Sequence, residues 1–239
     1  MIRTTLFCVV LLMPSMALGQ NNDNPANFIM KAVAQRATEN ERVKEALIEY
    51  KRGYVIKDLN SKEEEGRKKK DEVELVKSGR SRVIERFGKP VKNGGGGSTP
   101  NINFAKAMAD FYDFNMALTP LVMIDERAYH VIDFRPTRST PHPKGDLEKI
   151  LARMAGTIYI DVEKLFIHKL EAKLVKEYSR GWFVYRLSRA DITLKQMEFN
   201  NIVVVESLEV IDTYYIFGVE TFEKQTITYT DYAYPITTP

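Results

Sequence analysis

From residue 157 to residue 233 the chain is a succession of short apolar–polar alternations broken only by brief turns. "TIYIDV", "LFIHKLEAKLV", "GWFVYRLS", "DITLKQMEF", "IVVVESLEVI", "YYIFGVETF" and "KQTITYTDY" follow one another with little else between them. A period of two sends alternate side chains to opposite faces of an extended strand. Strands of this length joined by brief turns predict an antiparallel meander, which limits the fold more than any other feature of the chain.

Earlier segments add a few helices and more strands. Residues 25–47 read as a helix with Pro25 in its first turn; Phe28, Ile29, Ala32 and Val33 share a face that Val43 and Leu47 resume, with a break allowed near Asn40. "IEYKRGYVIKDL", "EVELVKSG" and "SRVIERFGKPV" read as strands, and the charges at 62–70 as a solvated hairpin tip. "VKNGGGGSTP", 91–100, reads as a flexible glycine-rich loop. It lacks the GK[ST] ending of a phosphate loop. "NFAKAMADFYDF" predicts a short helix capped by Asn103, with Phe104, Met108 and Phe111 at helical spacing: a lid or a core plug. "LVMIDE" and "AYHVIDFRP" are two further strands. In "GDLEKILARMAG", Asp146 is the expected N-cap, Leu147, Ile150, Leu151 and Met154 the apolar stripe, and Gly156 the stop.

Several strands are apolar on one face and mixed on the other. In "LFIHKLEAKL" a strict period of two places Phe166, His168, Leu170 and Leu174 together. Phe183, Tyr185 and Leu187 form a second such row, and Tyr214 with Ile216 a third. Glu206 interrupts the row Ile202, Val204, Leu208, Val210 and reads either as a solvated strand residue or as a polar anchor for a ligand headgroup. A sheet with so much apolar surface needs cover on both sides, and few helices are available to supply it. The economical fold is mainly β: a strongly curved antiparallel sheet, a half-open barrel, capped by helices around an apolar interior, with a sheet drawn mostly from 119–234. Phe166, His168, Leu170, Leu174, Phe183, Tyr185, Glu206 and Ile216 are the candidate cavity residues.

At "AYHVIDFRP…PKGDLEKILARMAGTIYIDVEKLFIHKLEAKL" the chain resembles the periplasmic outer-membrane lipoprotein-sorting family, which includes lipoprotein carriers and receptors. The shared features are a strand ending in "IDFRP" (132–136), a short helix, and "GTIYID" (156–161) running through a turn into the next strand. The resemblance covers roughly 128–234 and extends loosely over 25–90; residues 91–118 match nothing in it. It implies a half-open barrel capped by helices, a hydrophobic cavity, a periplasmic location, an acyl chain of a lipid or lipoprotein as ligand, and no catalytic residues.

The first residues agree with export. "MIRTT" carries one positive charge, "LFCVVLLMPSMA" is an apolar core of signal-peptide length, and Ala17 and Gly19 stand at the −3 and −1 positions. This predicts a signal peptide over 1–19 and one mature domain over 20–239; a retained N-terminal anchor is the alternative. The only cysteine is Cys8, so a mature chain has no disulfide and depends on its core. Its formal charge is 34 − 32 = +2 once Arg3 is removed, which gives no argument for a nucleic-acid surface.

The sequence offers little reactive chemistry. His130 and Asp133, three apart in a strand, point to opposite faces, and His142 lies in the turn "TPHPKG". No H-E-x-x-H, G-x-S-x-G or S-x-x-K motif is present. No metal, no cofactor and no enzymatic activity are expected. The leading reading is a periplasmic carrier for an acylated ligand in outer-membrane lipoprotein sorting. The alternatives are a periplasmic sensor module that binds a membrane-associated protein and a metal-dependent hydrolase.

Overall fold

The computed structural model describes residues 24–47, 49–77, 79–92, 94–98, 111–137, 145–181 and 184–234. The expected signal segment 1–19, residues 103–110 of the helix expected from Asn103, and His142, Trp182 and Phe183 lie outside them; the end of that expected helix, residues 112–114, is strand instead. None of the described helices is long and apolar enough to cross a membrane.

The chain opens with helix α1, Pro25–Leu47. Asn24 caps it by accepting the Ala26 N–H at 3.0 Å. Four strands follow: β1 Glu49–Leu59, β2 Glu65–Lys77, β3 Arg80–Arg86 and β4 Lys89–Pro90. Next come β5 Gly96–Ser98, β6 Tyr112–Ile124, β7 Arg127–Pro136 and the short helix α2 Asp146–Leu151. The chain continues through β8 Met154–Asp161, β9 Ile167–Leu174, β10 Tyr178–Arg180, β11 Tyr185–Phe199, β12 Ile202–Ile216 and β13 Val219–Ala233.

All the strands belong to one antiparallel sheet in the order β4-β3-β2-β1-β13-β12-β11-β9-β8-β7-β6, with β10 beside β11 and β5 beside β3. β4 and β6 end the order without meeting, so the sheet is open and not closed into a barrel. It is larger than the sequence predicts. β13 closes on β1, with Tyr54 opposite Ile227, and this pairing joins residues 49–98 to the C-terminal meander.

α1 lies across one face of the sheet. Its buried stripe is Ala26, Met30 and Val33, spaced i, i+4, i+7, with Ile29 packed alongside. Phe28, expected on that stripe, is 75% exposed, and no break occurs at Asn40. Beneath the helix lie Phe114, Ile132, Phe134, Met154, Ile158, Leu170, Ala172, Leu187 and Leu194, which with α1 form the main core. A helix of this length spans about 34 Å, enough to bridge from β6 to β12, roughly 24 Å at ordinary strand spacing.

Several sequence signals have a different use from the one expected. α2 stops at Leu151; its N-cap is Gly145, without a side-chain bond. Asp146 instead accepts the Tyr178 hydroxyl at 2.7 Å and pairs with Arg180 at 3.0 Å. Met154, fully buried, opens β8, and Gly156 lies inside that strand, where a Cβ would stand 1.8 Å from the Glu171 carbonyl oxygen. The glycine is a close-approach residue rather than a helix stop. Within the glycine-rich segment expected to be a flexible loop, Gly96–Ser98 forms β5 against Arg80–Arg82, and a Cβ at Gly94 would meet the Val83 carbonyl oxygen at 1.9 Å.

Candidate functional site

Three single-residue bulges decide which side chains share the α1 face. In β9, Ile167 pairs with Ile160 and Lys169 with Tyr159, leaving His168 as the extra residue. In β11, Leu187 pairs with Tyr214 and Arg189 with Thr213, leaving Ser188. In β12, Val205 pairs with Gln196 and Ser207 with Lys195, leaving Glu206. Each bulge reverses the alternation of its strand. Thus Ile167 and Leu170, Leu187 and Ala190, and Val205 and Leu208 all pack on the main core although each pair is three residues apart.

The predicted cavity row is redistributed accordingly. Leu170 is buried in the core, and Leu174 and Tyr185 pack against it half-buried. Phe166 is buried but outside that cluster, its carbonyl accepting the Asp161 N–H. His168 does not share a face with Leu170. Its ring lies 4.7 Å from that of Tyr129, which pairs with Asp161 and alternates with the core residue Ile132. The reason is the bulge: one extra residue sends the imidazole away from α1. Glu206 is exposed for the same cause, and Ile202 and Val204 fall into a separate cluster with Met197, Phe199, Tyr50 and Tyr232 rather than beside Leu208. Ile216 continues the row of Tyr214 to the strand end, where it is exposed.

The α1 face has two zones. The apolar zone runs from β6 to β11 under the helix. Asn24, Arg36 and Asn40 tie α1 to the rest of the chain. The Asn24 amide donates to the Phe114 carbonyl, the Arg36 guanidinium to the Lys164 carbonyl, and Asn40 exchanges two bonds of 2.7 and 2.8 Å with the backbone of Val203. Beside its first turns an open depression of about 630 Å³ is lined by Asn27, Met30, Tyr112, Phe114 and Arg135, among others. Burial pushes the Tyr112 phenol upward; its hydroxyl donates to the Leu151 carbonyl at 2.5 Å.

The second zone, on β1, β2, β12 and β13, was missed by sequence reasoning. It is polar and aromatic. Asp212 pairs with Glu223 across β12 and β13, on the face that also carries Leu208 and Tyr214. The Tyr54 hydroxyl donates to Gln225 at 2.9 Å, and the Gln225 amide donates to Asp212 Oδ2 at 3.4 Å. Lys69, the extra residue of another bulge between Lys68 and Lys70, reaches both Asp58 at 2.5 Å and buried Glu223 at 2.7 Å. Those two hydrogen bonds overcome the effect of burial and hold the Lys69 ammonium well above its usual range.

Asp212 is the perturbed acid of this zone. Burial, and then the charge of Glu223, push its carboxyl up to about 6. Its Oδ1 is buried without a hydrogen-bond partner among the described residues. Tyr214, stacked on Tyr185 at 5.9 Å, is pushed up to about 12 by burial and by its bond to Glu223. Lys70 lies 4.3 Å above the Tyr54 ring. The sequence hint of this zone was the charge run at 62–70, which forms the exposed hairpin tip that the sequence predicts, with Lys69 reaching back from it to Glu223.

Among the described residues no three His, Cys, Asp or Glu side chains gather closely enough to hold a metal ion. His130 faces the core side, opposite Ile160, while Asp133 on the other side accepts the Thr157 hydroxyl at 2.8 Å. What the α1 face offers chemically is apolar contact from β6 to β11 and hydrogen bonding on β12, β13 and β1.

No protein-family model matches the chain, and no curated protein matches it. Solved structures of similar overall course include a LolA superfamily protein from Nitrosomonas europaea. It is 13% identical, with 87% of this chain and 92% of that one covered at a TM-score of 0.40. Another is a domain from Vibrio parahaemolyticus described as an outer membrane lipoprotein-sorting protein, 9% identical, covering 88% and 95% at a TM-score of 0.41. A third is the MucA/MucB complex of Pseudomonas aeruginosa, 7% identical, covering 82% and 94% at a TM-score of 0.24.

Proposed function

We propose that this chain is a non-catalytic periplasmic carrier that binds the acyl chain of a lipid or lipoprotein on the α1 face. The observation that carries the reading is the division of that face into an apolar zone roofed by one helix and an adjoining polar zone. An amphiphile requires that division.

In this reading α1 is the lid. Ile29, Met30 and Val33 bury apolar surface against the sheet, each worth roughly 2 kcal/mol, and a few polar ties add about 1 kcal/mol each. An acyl chain of about fifteen carbons offers about 12 kcal/mol gross at ~0.8 kcal/mol per methylene. The two sums are of the same order, so a ligand can replace the helix on the sheet without unfolding it. Leu170, Leu174 and Tyr185 would line the chain's path, and the Tyr54–Gln225–Asp212 network would receive a polar head that donates hydrogen bonds. Export through residues 1–19 and transport of the ligand between membranes belong to the same proposal, as does a membrane-associated protein that would accept it.

The test is native mass spectrometry of the protein recovered from periplasmic extract. The expected spectrum shows co-purified acyl species, released on denaturation and absent from Leu170→Asp. A ligand-free spectrum, together with no uptake of a fatty-acyl dye, refutes the carrier reading.

A further inference from the structure

The hairpin joining β12 to β13 ends in a small, strongly apolar tip. Phe217 is 73% exposed and Val219 67%, with Ile216 and Val184 about half exposed beside them. The Phe217 N–H donates to the Val184 carbonyl, so the β10–β11 connection and the hairpin end are fastened together. The tip projects: the last pair between β1 and β13 is Asp58 with Glu223, and residues 219–222 run on beyond it.

Its turn chemistry is costly for a turn alone. Phe217 and Gly218 have φ of 50° and 82°, the pattern of a two-residue turn that favours Asn-Gly. The β6–β7 and β11–β12 turns meet the same demand with Asp125-Glu126 and Asn200-Asn201. A phenylalanine in the left-handed region is strained. Phe87-Gly88 repeats the choice between β3 and β4, but there the ring stands between Arg86 and Lys89, with no apolar neighbour in sequence. Among the described residues only 216–219 have the strained aromatic at the head of an apolar patch.

We infer that this tip is a docking point for a lipid bilayer surface. The four side chains expose an area on the order of a few hundred Å², well short of the roughly 800 Å² per partner that a standard protein interface buries. Insertion of a few apolar side chains into the headgroup boundary needs no such area. The collar suits an interface: the Arg186 guanidinium lies 4.0 Å over the Tyr215 ring, and the Tyr215 hydroxyl donates to Glu220. Amphipathic rings of this kind favour the headgroup level. The collar's charges nearly cancel, Arg180 against Asp146 and Arg186 against Glu220, so a zwitterionic surface is sufficient. The inference stands on the tip alone and not on what the α1 face carries.

The chain's single tryptophan, Trp182, stands two residues before Val184 in sequence and is the fluorescence probe. The full chain, expressed and purified as the cell processes it, is titrated with phosphatidylcholine vesicles, with and without one-fifth phosphatidylglycerol and with brominated acyl chains. Wild type is expected to show a blue shift and bromine quenching of Trp182 fluorescence, little changed by the anionic lipid. Phe217→Asn, which suits the turn and keeps the fold by thermal melting, is expected to weaken partitioning about tenfold or more, the factor that burial of one phenyl ring implies. Phe87→Asn is the control and is expected to match wild type. Absence of quenching in wild type, equal quenching in Phe217→Asn, or quenching seen only when envelope proteins are included in the vesicles overturns the inference. Acyl-dye uptake, measured on the same samples, is expected to be unaltered in Phe217→Asn. Wild type that is quenched but takes up no dye refutes the carrier reading and leaves the docking tip in place.

Discussion

Replacing Asp212 with Asn is expected to stabilise the protein at neutral pH and not at acid pH. The carboxyl of Asp212 is pushed up to about 6 by burial and by the neighbouring charge of Glu223. In the unfolded chain it returns to about 3.9. The folded state therefore holds a proton on Asp212 where the unfolded state does not, between about pH 4 and pH 6. Stability from this group is fully present below pH 4, falls as pH rises through 6, and stays lost above it. A shift of roughly two units corresponds to about 3 kcal/mol; solvent screening of a half-buried carboxylate reduces this to roughly 1–2 kcal/mol. Asn is neutral at every pH and can still accept the Gln225 amide bond that now reaches Oδ2. The expected result is a variant close to wild type at pH 4.5 and more stable by roughly 1–2 kcal/mol at pH 7.5, or about 2–8 °C in Tm for a domain of this size. Urea titrations and thermal melts at both pH values measure it. A difference between variant and wild type that is the same at both pH values, or a variant less stable at pH 7.5, would refute the assignment of Asp212 as a strained acid.

Three further outcomes are expected. Leu170→Asp should cost about 3 kcal/mol or more and abolish acyl-dye binding, because an unpaired carboxylate would sit in the main core; a near-wild-type melt would place Leu170 elsewhere. His168→Leu should change stability by less than about 1 kcal/mol and leave dye affinity unaltered, since the bulge turns the ring toward Tyr129 and away from α1. Wild-type Tm should not respond to zinc, and a zinc-dependent rise lost in His168→Leu would contradict this placement. Asn40→Ala removes two bonds to the Val203 backbone and should cost about 1–3 kcal/mol, with faster amide exchange confined to α1 if the helix is a lid. Exchange that rises equally across the sheet would argue for a fixed structural helix.

The longer strands were legible in the sequence, because each is long enough for a period of two to show; β4, β5 and β10, of two or three residues, are not. β8 and β9 fall close to where the alternation puts them and α1 spans its predicted residues, but β11 joins two of the expected runs and "YYIFGVETF" is split between β12 and β13 by the Phe217-Gly218 turn. What the alternation could not convey is the bulges, since a bulge is a property of two strands in register and not of one. A trace of them is nonetheless present. Apolar residues three apart inside a strand, Ile167 and Leu170, Leu187 and Ala190, Val205 and Leu208, cannot share a face unless a residue is extruded between them. Strict alternation instead grouped Phe166 and His168 with Leu170, and Glu206 with Leu208, residues that do not share a face once one residue is extruded. The polar zone was hidden for the same reason. Asp58, Lys69, Asp212 and Glu223 come from four strands, and the β1–β13 pairing that assembles them joins residues some 170 positions apart. Read alone, each is a charge on a half-exposed strand. Only the register makes Lys69 a bridge between Asp58 and Glu223, and it leaves Asp212 beside that bridge with one oxygen unpaired. The face that would hold a ligand is thus composed of a zone that local pattern reveals and a zone that only long-range pairing creates.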